Sequence, residues 1–268
     1  MITVNGRKID FTERGEGPAV LFLPGSFSTP MAWTAMQQAL PQRYRFVSTS
    51  LCGYGATEDT RGLDDFGMEH LVQAVVAVVK EIGEPVHLVG HSFGGAVALA
   101  SALSGAFEVL SIATFEANPL ALLQESGNHY LYNATKEMSA DYEAAFHAGE
   151  RDAAGRIIDF WGGDNSFNAL PDAVQEYCRA TTYANVLDWC TAFSFEAKMS
   201  DYSGLSMPVP LVRGAHANPQ MIEINEVLET CLPNHRSAVV DGANHFLITS
   251  HAGDCAALLA EFLKEITK

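Results

Sequence analysis

The segment VHLVGHSFGG, residues 86–95, leaves the chain few ways to fold. A short apolar run that reads as a buried strand gives way, within a few residues, to a small-residue run that reads as a helix. Gly90 and Gly94 stand on either side of Ser92. A turn this sharp brings the chain so close to itself that a Cβ at those positions has no room. The serine at its apex is forced into a strained conformation, with its hydroxyl projecting beyond the strand end. The backbone N–H of Phe93, which opens the helix, can then face an anion. A plain strand-turn-helix with a serine N-cap has the same local signature, so the rest of the chain must decide between them.

Strand and helix signals alternate on both sides of this turn. Residues 2–4 and 8–12 read as a hairpin about Asn5-Gly6. Strands are expected at 19–23, 45–48, 86–89 and 110–115. Helices are expected at 31–40, 65–82 (ended by Gly83) and 94–103. This rhythm implies an α/β fold, a mostly parallel doubly wound sheet with helices on both faces. It breaks at residues 119–205, which are mostly helical and rich in aromatic residues. Strands resume at 209–212 and 236–240, and an amphipathic helix at 252–266 closes the chain. The expected organisation is therefore a core of 1–118 and 206–268 interrupted by a helical insertion at 119–205.

Composition narrows the partners. Hydrophobic residues make up 48% of 268, enough for a large core. The formal charge of −16 repels nucleic acid phosphates and anionic lipid, so neither is expected as a partner. Residues 85–107 carry no charged side chain, but their glycines, serines and histidines fit a soluble strand, turn and buried helix better than a membrane span. Five cysteines, an odd number without a C-x-x-C pair, read as free thiols in a reducing compartment. The opening residues lack a basic stretch followed by an apolar run, so a cytoplasmic location is expected. No metal cluster or phosphate-binding glycine loop stands out, and no cofactor is expected.

With G-x-S-x-G at 90–94 in this setting, the chain resembles the α/β-hydrolase fold family over nearly its whole length. FLPGSFSTPMAW at 22–33 resembles the family's oxyanion loop, SLCGYGATED at 50–59 its loop after the fourth strand, and DGANHF at 241–246 its histidine loop. The resemblance implies Ser92 as nucleophile, a cap for the insertion, and an oxyanion hole from the N–H of Phe93 and of Ser26, with Phe27 the second choice for the latter. Pro24 replaces a frequent histidine, which leaves backbone donors intact. Cys52 replaces a usual arginine and reads as packing.

A serine hydroxyl needs a base. His245 lies in a loop after a strand and can reach over Ser92; His91 should turn away toward the oxyanion loop, and His87 should pack in the core. The acid is less obvious. The loop AHANPQ at 215–220, where the family often carries it, has no carboxylate. Glu223 and Glu226 fall in a helix-like stretch, and Asp241 is too close in sequence to turn back to the ring. Glu116 directly follows the strand after the nucleophile helix, so its tip borders the same crevice. Some family members, haloalkane dehalogenases among them, place the acid there. The expected array is Ser92, His245 and Glu116.

Dehalogenases and epoxide hydrolases of this fold use an aspartate where Ser92 stands. A serine instead forms an acyl-enzyme, so the resemblance implies hydrolysis of an ester, lactone or thioester; the aromatic insertion and the net charge point to a small or medium, largely apolar substrate, and a monomer or homodimer is expected. Two alternatives stay open: a C–C hydrolase of diketones, and a ligand-binding receptor that keeps the array with little turnover.

Overall fold

The protein is described from a computed structural model covering residues 1–4 and 6–266. A small antiparallel ribbon, β1 (Ile2–Val4) and β2 (Arg7–Ile9), opens the chain. Asn5 of its expected Asn5-Gly6 turn lies outside the described residues. The main sheet is built from β3 (Thr12–Arg14), β4 (Ala19–Leu23), β5 (Arg45–Ser48), β6 (Val86–His91), β7 (Val109–Phe115), β8 (Val209–Gly214) and β9 (His235–Val240). In space the order is β3-β5-β4-β6-β7-β8-β9. Only β3 runs antiparallel to its neighbour, at the edge; β5 through β9 are parallel. The mostly parallel, doubly wound sheet expected from the alternation is present.

Side-chain alternation explains why both faces are covered. Along β4, Leu21 and Leu23 enter one apolar cluster while Val20 and Phe22 enter the other. Successive strand residues point to opposite faces, and all five of β4 are buried, so helices must pack on each side. One face takes α2 (Glu69–Ile82), α3 (Phe93–Leu103) and α10 (Pro219–Cys231) through residues such as Val75, Val97 and Leu228. The other takes α1 (Thr34–Ala39) and α12 (Ala252–Ile266) through Met36, Leu259 and Leu263. Burial of each such side chain contributes about 1.5–3 kcal/mol before chain entropy is subtracted.

Between β7 and β8 come α4 (Ala121–Glu125), α5 (His129–His147), α6 (Ala153–Gly162), α7 (Asp172–Ala180), α8 (Thr182–Ser194) and α9 (Met199–Tyr202). A short α11 (Leu247–Ser250) precedes α12.

Three expectations need correction. The strand read at 8–12 stops at Ile9, and Thr12–Arg14 crosses to pair with β5. The helix read at 65–82 begins at Glu69, because Gly62 and Asp65 pair backbone to backbone in an isolated bridge ahead of it. The helix read at 31–40 starts as a 3-10 turn, Pro30–Trp33, with Thr29 accepting a bond from the Met31 N–H.

The sheet order reverses at β4. The chain steps from β4 to β5 on one side, then returns to lay β6 on the other. Open α/β sheets bind ligands outside the carboxyl ends of strands at such a switch point. The loops after β4 and β6 carry Ser26 and Ser92.

Candidate active site

The turn at Ser92 has the geometry its glycines require. Ser92 holds φ 52°, ψ −125°, a conformation that costs on the order of 1–3 kcal/mol. A Cβ on Gly94 would lie 2.2 Å from the Pro24 carbonyl oxygen, and one on Gly90 2.5 Å from that of Gly94. Three bonds hold the strained residue. Its N–H donates to Phe115 O at 3.0 Å, and its own carbonyl accepts from Gly95 at 2.9 Å and Ala96 at 3.2 Å.

Glu116 stands at the tip of the neighbouring strand, β7, and also holds a positive φ, 50°. Its N–H donates to Val212 O on β8 at 2.9 Å. Its carboxylate is fully buried and satisfied at both ends. Oε1 accepts from the Gly214 N–H at 2.8 Å, and Oε2 lies 2.7 Å from His245 Nδ1. Gly214 ends β8, where the following loop lacks an acid. That strand end contributes a backbone donor instead, and the donor orients the carboxylate one strand away.

His245 joins the two tips. Its Nε2 lies 3.0 Å from Ser92 Oγ. The loop from β9 carries it over the sheet, and its ring is flanked by Trp161 and His91, with centroids 5.3 and 4.9 Å away. His91 Nε2 donates to the backbone carbonyl of His245 at 2.8 Å, which steadies this loop. Burial, reinforced by the neighbouring His245, pushes the His91 pKa down to about 3, so His91 is neutral at pH 7. Its place agrees with the expectation: a Cβ on Gly25 of the loop after β4 would sit 3.0 Å from its Nδ1. His87 is the core histidine expected, bonded to Ser111 Oγ at 2.9 Å and pushed down to about 4 by burial.

The other carboxylates lie elsewhere. Glu223, on α10, accepts from Nδ2 of Asn128, the N-cap of α5, at 3.1 Å, and Glu226 and Asp241 are exposed. Asp65, Glu69 and His70 bring potential metal ligands within 4.8 Å of one another. They do not line the cavity described next, and both His70 nitrogens are engaged, by Thr60 and Asp65.

A cavity of about 310 Å³ opens over Ser92 and His245. Its floor includes Gly25, Ser26, Phe27 and Phe93. Among the described residues, no acceptor pairs with the backbone N–H of Ser26, Phe27 or Phe93. Its opposite wall comes from α6 and α8, with Ile157, Ile158 and Trp161 on one and Asn185, Asp188, Trp189 and Ala192 on the other. No Lys or Arg among the described residues lines it. Of the aromatic side chains at 119–205, Trp161 and Trp189 line the cavity, while Tyr130 and Tyr183 are exposed.

Sequence reasoning missed a buried ionic network on this wall. Asp188 Oδ2 accepts from Ser26 Oγ at 2.5 Å and Tyr54 OH at 2.7 Å, and Oδ1 accepts from Arg61 at 2.8 Å. Arg61 also binds Asp59 and carries no exposed side-chain area. Burial alone would lower its pKa, but Asp188 and Asp59 outweigh that and hold the guanidinium charged. Burial pushes the Asp188 carboxyl up, against the pull of Arg61 and the two hydroxyls. The network ties α8 to the loops after β4 and β5. The signal was present in the helix: residues 185, 188, 189 and 192 share one face, which places two polar residues on an otherwise apolar stripe.

These features agree with what comparison finds. A sequence profile described as the alpha/beta hydrolase family matches residues 20–258. A fluoroacetate dehalogenase from Burkholderia sp is 24% identical over 99% of this chain and 93% of its own. An alpha/beta hydrolase structure from Sphaerobacter thermophilus superposes with TM-score 0.77 at 18% identity, over 98% of this chain and 99% of the other. An epoxide hydrolase from Vigna radiata gives 0.75 at 22%, over 98% and 96%. On its profile match and its sheet, the chain belongs to the alpha/beta hydrolase family.

Proposed function

We propose that this chain is a serine hydrolase that cleaves a small or medium, largely apolar carboxylic ester, or a lactone or thioester, through an acyl-enzyme on Ser92. The observation that carries the reading is the pair of hydrogen bonds, 3.0 and 2.7 Å, that link Ser92 Oγ through His245 to Glu116 under an apolar cavity. Glu116 accepts from Nδ1–H, which leaves Nε2 as the acceptor facing the serine. Ser92 Oγ bonds to the substrate carbonyl carbon as His245 Nε2 takes the hydroxyl proton. The carbonyl oxygen becomes an oxyanion, held by the N–H of Phe93 and of Ser26. Glu116 balances the charge on the imidazolium. As the tetrahedral intermediate collapses, the C–O bond breaks and the alcohol leaves with the Nε2 proton. Water then adds to the acyl carbon, giving one proton to Nε2. Release of the acid returns that proton to Ser92. Ester and water are consumed, and acid and alcohol are formed.

Residues 119–205 act in this reading as a cap that shapes the cavity. A neutral substrate is favoured because no Lys or Arg among the described residues lines the cavity and the chain carries −16. The test is a series of p-nitrophenyl esters from acetate to octanoate, assayed with wild type and Ser92→Ala. Turnover by wild type should fall by up to about a million-fold in the variant. Equal turnover by both would contradict the proposal. Ligand binding without turnover in wild type would favour a receptor.

A further inference from the structure

We infer that the cavity recognises a second, neutral polar group on the substrate, one that both donates and accepts hydrogen bonds, through the side-chain amides of Asn118 and Asn185. The inference rests on the hydrolase reading and adds the class of substrate to it. Asn118 follows the tip of β7, two residues after Glu116, and Asn185 lies on α8. The two come from different parts of the chain, and both line the cavity over Ser92. Asn118 is 6% exposed and Asn185 1%. Each Oδ1 is buried without a partner; neither Nδ2 has one among the described residues, and the Nδ2 end is the one left open, so a half-turn of the amide is needed to present the oxygen.

Buried polar groups are nearly always paired, because burying one unpaired forfeits its bonds to water. Two unpaired amides that line one cavity therefore hold bonding capacity that a group entering it can take up. Asp188, one turn further along α8, shows what a group used by the fold looks like. Its oxygens are taken by Ser26, Tyr54 and Arg61. Asn185 on the same face has no such partner. A primary amide offers one acceptor and two donors, and a half-turn of the group exchanges them. Its neutral complement is a hydroxyl or an amide. A carboxylate is disfavoured, since no Lys or Arg among the described residues lines the cavity and Asp188 does. The substrate class is thus a mainly apolar ester that carries a hydroxyl or an amide besides the scissile carbonyl.

The experiment compares kcat/KM for p-nitrophenyl pentanoate, p-nitrophenyl 3-hydroxybutyrate and the p-nitrophenyl ester of N-acetylglycine, in wild type, Asn118→Leu and Asn185→Leu. Dividing each variant's ratio by that of wild type cancels the intrinsic reactivity of the esters. The expected result is a polar-to-apolar preference that falls about 10-fold to 100-fold when either amide is removed, with pentanoate turnover little changed. The hydroxy and acylamino esters then tell which polar group the pair reads. An unchanged ratio in both variants, with pentanoate still cleaved, would overturn the inference and leave the hydrolase reading standing. Melting temperature gives a readout independent of turnover. Amides that the fold does not use can be replaced by Leu with Tm unchanged or raised. A Tm lowered by several degrees in both variants would overturn the inference even if esters were cleaved. Failure of all three esters in wild type would instead bring down the hydrolase reading, and Tm alone would then judge the amide pair.

Discussion

The cavity has two walls made in opposite ways. The sheet-side wall is strained, and its carboxylate is saturated. Ser92 and Glu116 hold φ near 50° at neighbouring strand tips, and both carboxylate oxygens of Glu116 are occupied. The helix-side wall is unstrained and divided. On α8, Asp188 is fully engaged while Asn185 is unpaired. Strain held by a closed set of bonds marks groups whose position is fixed before a ligand arrives. An unpaired buried amide marks a partner still to come. The array on the first wall is suited to chemistry; the unpaired amides, Asn118 near it and Asn185 on α8, are suited to selection.

The largest effect should come from the saturated carboxylate. Glu116→Gln keeps the shape but cannot accept from Nδ1–H in the same way, and kcat should fall by up to about four orders of magnitude. Glu223→Gln, whose residue bonds Asn128 away from the array, should leave kcat within about twofold. The reverse pattern would move the acid to α10. Next comes the tie between the walls. Asp188→Asn leaves the wholly buried Arg61 with less compensation, and unfolding free energy should drop by about 3–5 kcal/mol in chemical denaturation. A loss below about 1 kcal/mol would mean that Asp59 alone satisfies Arg61.

The smallest effect concerns the sheet beneath. Burial lowers His87 from 6.5 to about 4 and His91 from 6.5 to about 3. Both bind protons more readily when unfolded, so their neutral burial contributes fully above pH 6.5 and is lost as pH falls toward 4 and 3. Stability should therefore decline on acidification through this window. His87→Asn, which can keep a partner for Ser111, should flatten the slope between pH 6.5 and 4 by about one proton. An identical slope in the variant would mean that His87 takes up its proton as readily in the fold as in the unfolded chain.

What the sequence revealed follows from the range of the interactions. Ser92 was legible because an elbow is local: strand, glycines and helix lie within ten residues. Glu116 was legible by topology, since β7 pairs parallel with β6 and its last residue, Phe115, lies opposite His91, next to Ser92. The loop histidine followed from its place after β9. The Asp188 network joins residues 127 to 162 positions apart, and no spacing rule links them. Asn118 stood in view beside Glu116, but an asparagine gains meaning only from the partner it lacks, and that requires coordinates. β3 was missed because three polar residues, Thr12, Glu13 and Arg14, at a sheet edge have no apolar alternation to read.

The central claim is that Ser92 is an activated nucleophile, and it can be tested without knowing the substrate. The folded protein is treated with a fluorophosphonate, its intact mass is read, and the adduct is located by peptide mapping. The account predicts one adduct, on Ser92, that is lost in Ser92→Ala and strongly slowed in Glu116→Gln. No adduct on the folded protein, or one on another serine, would contradict it.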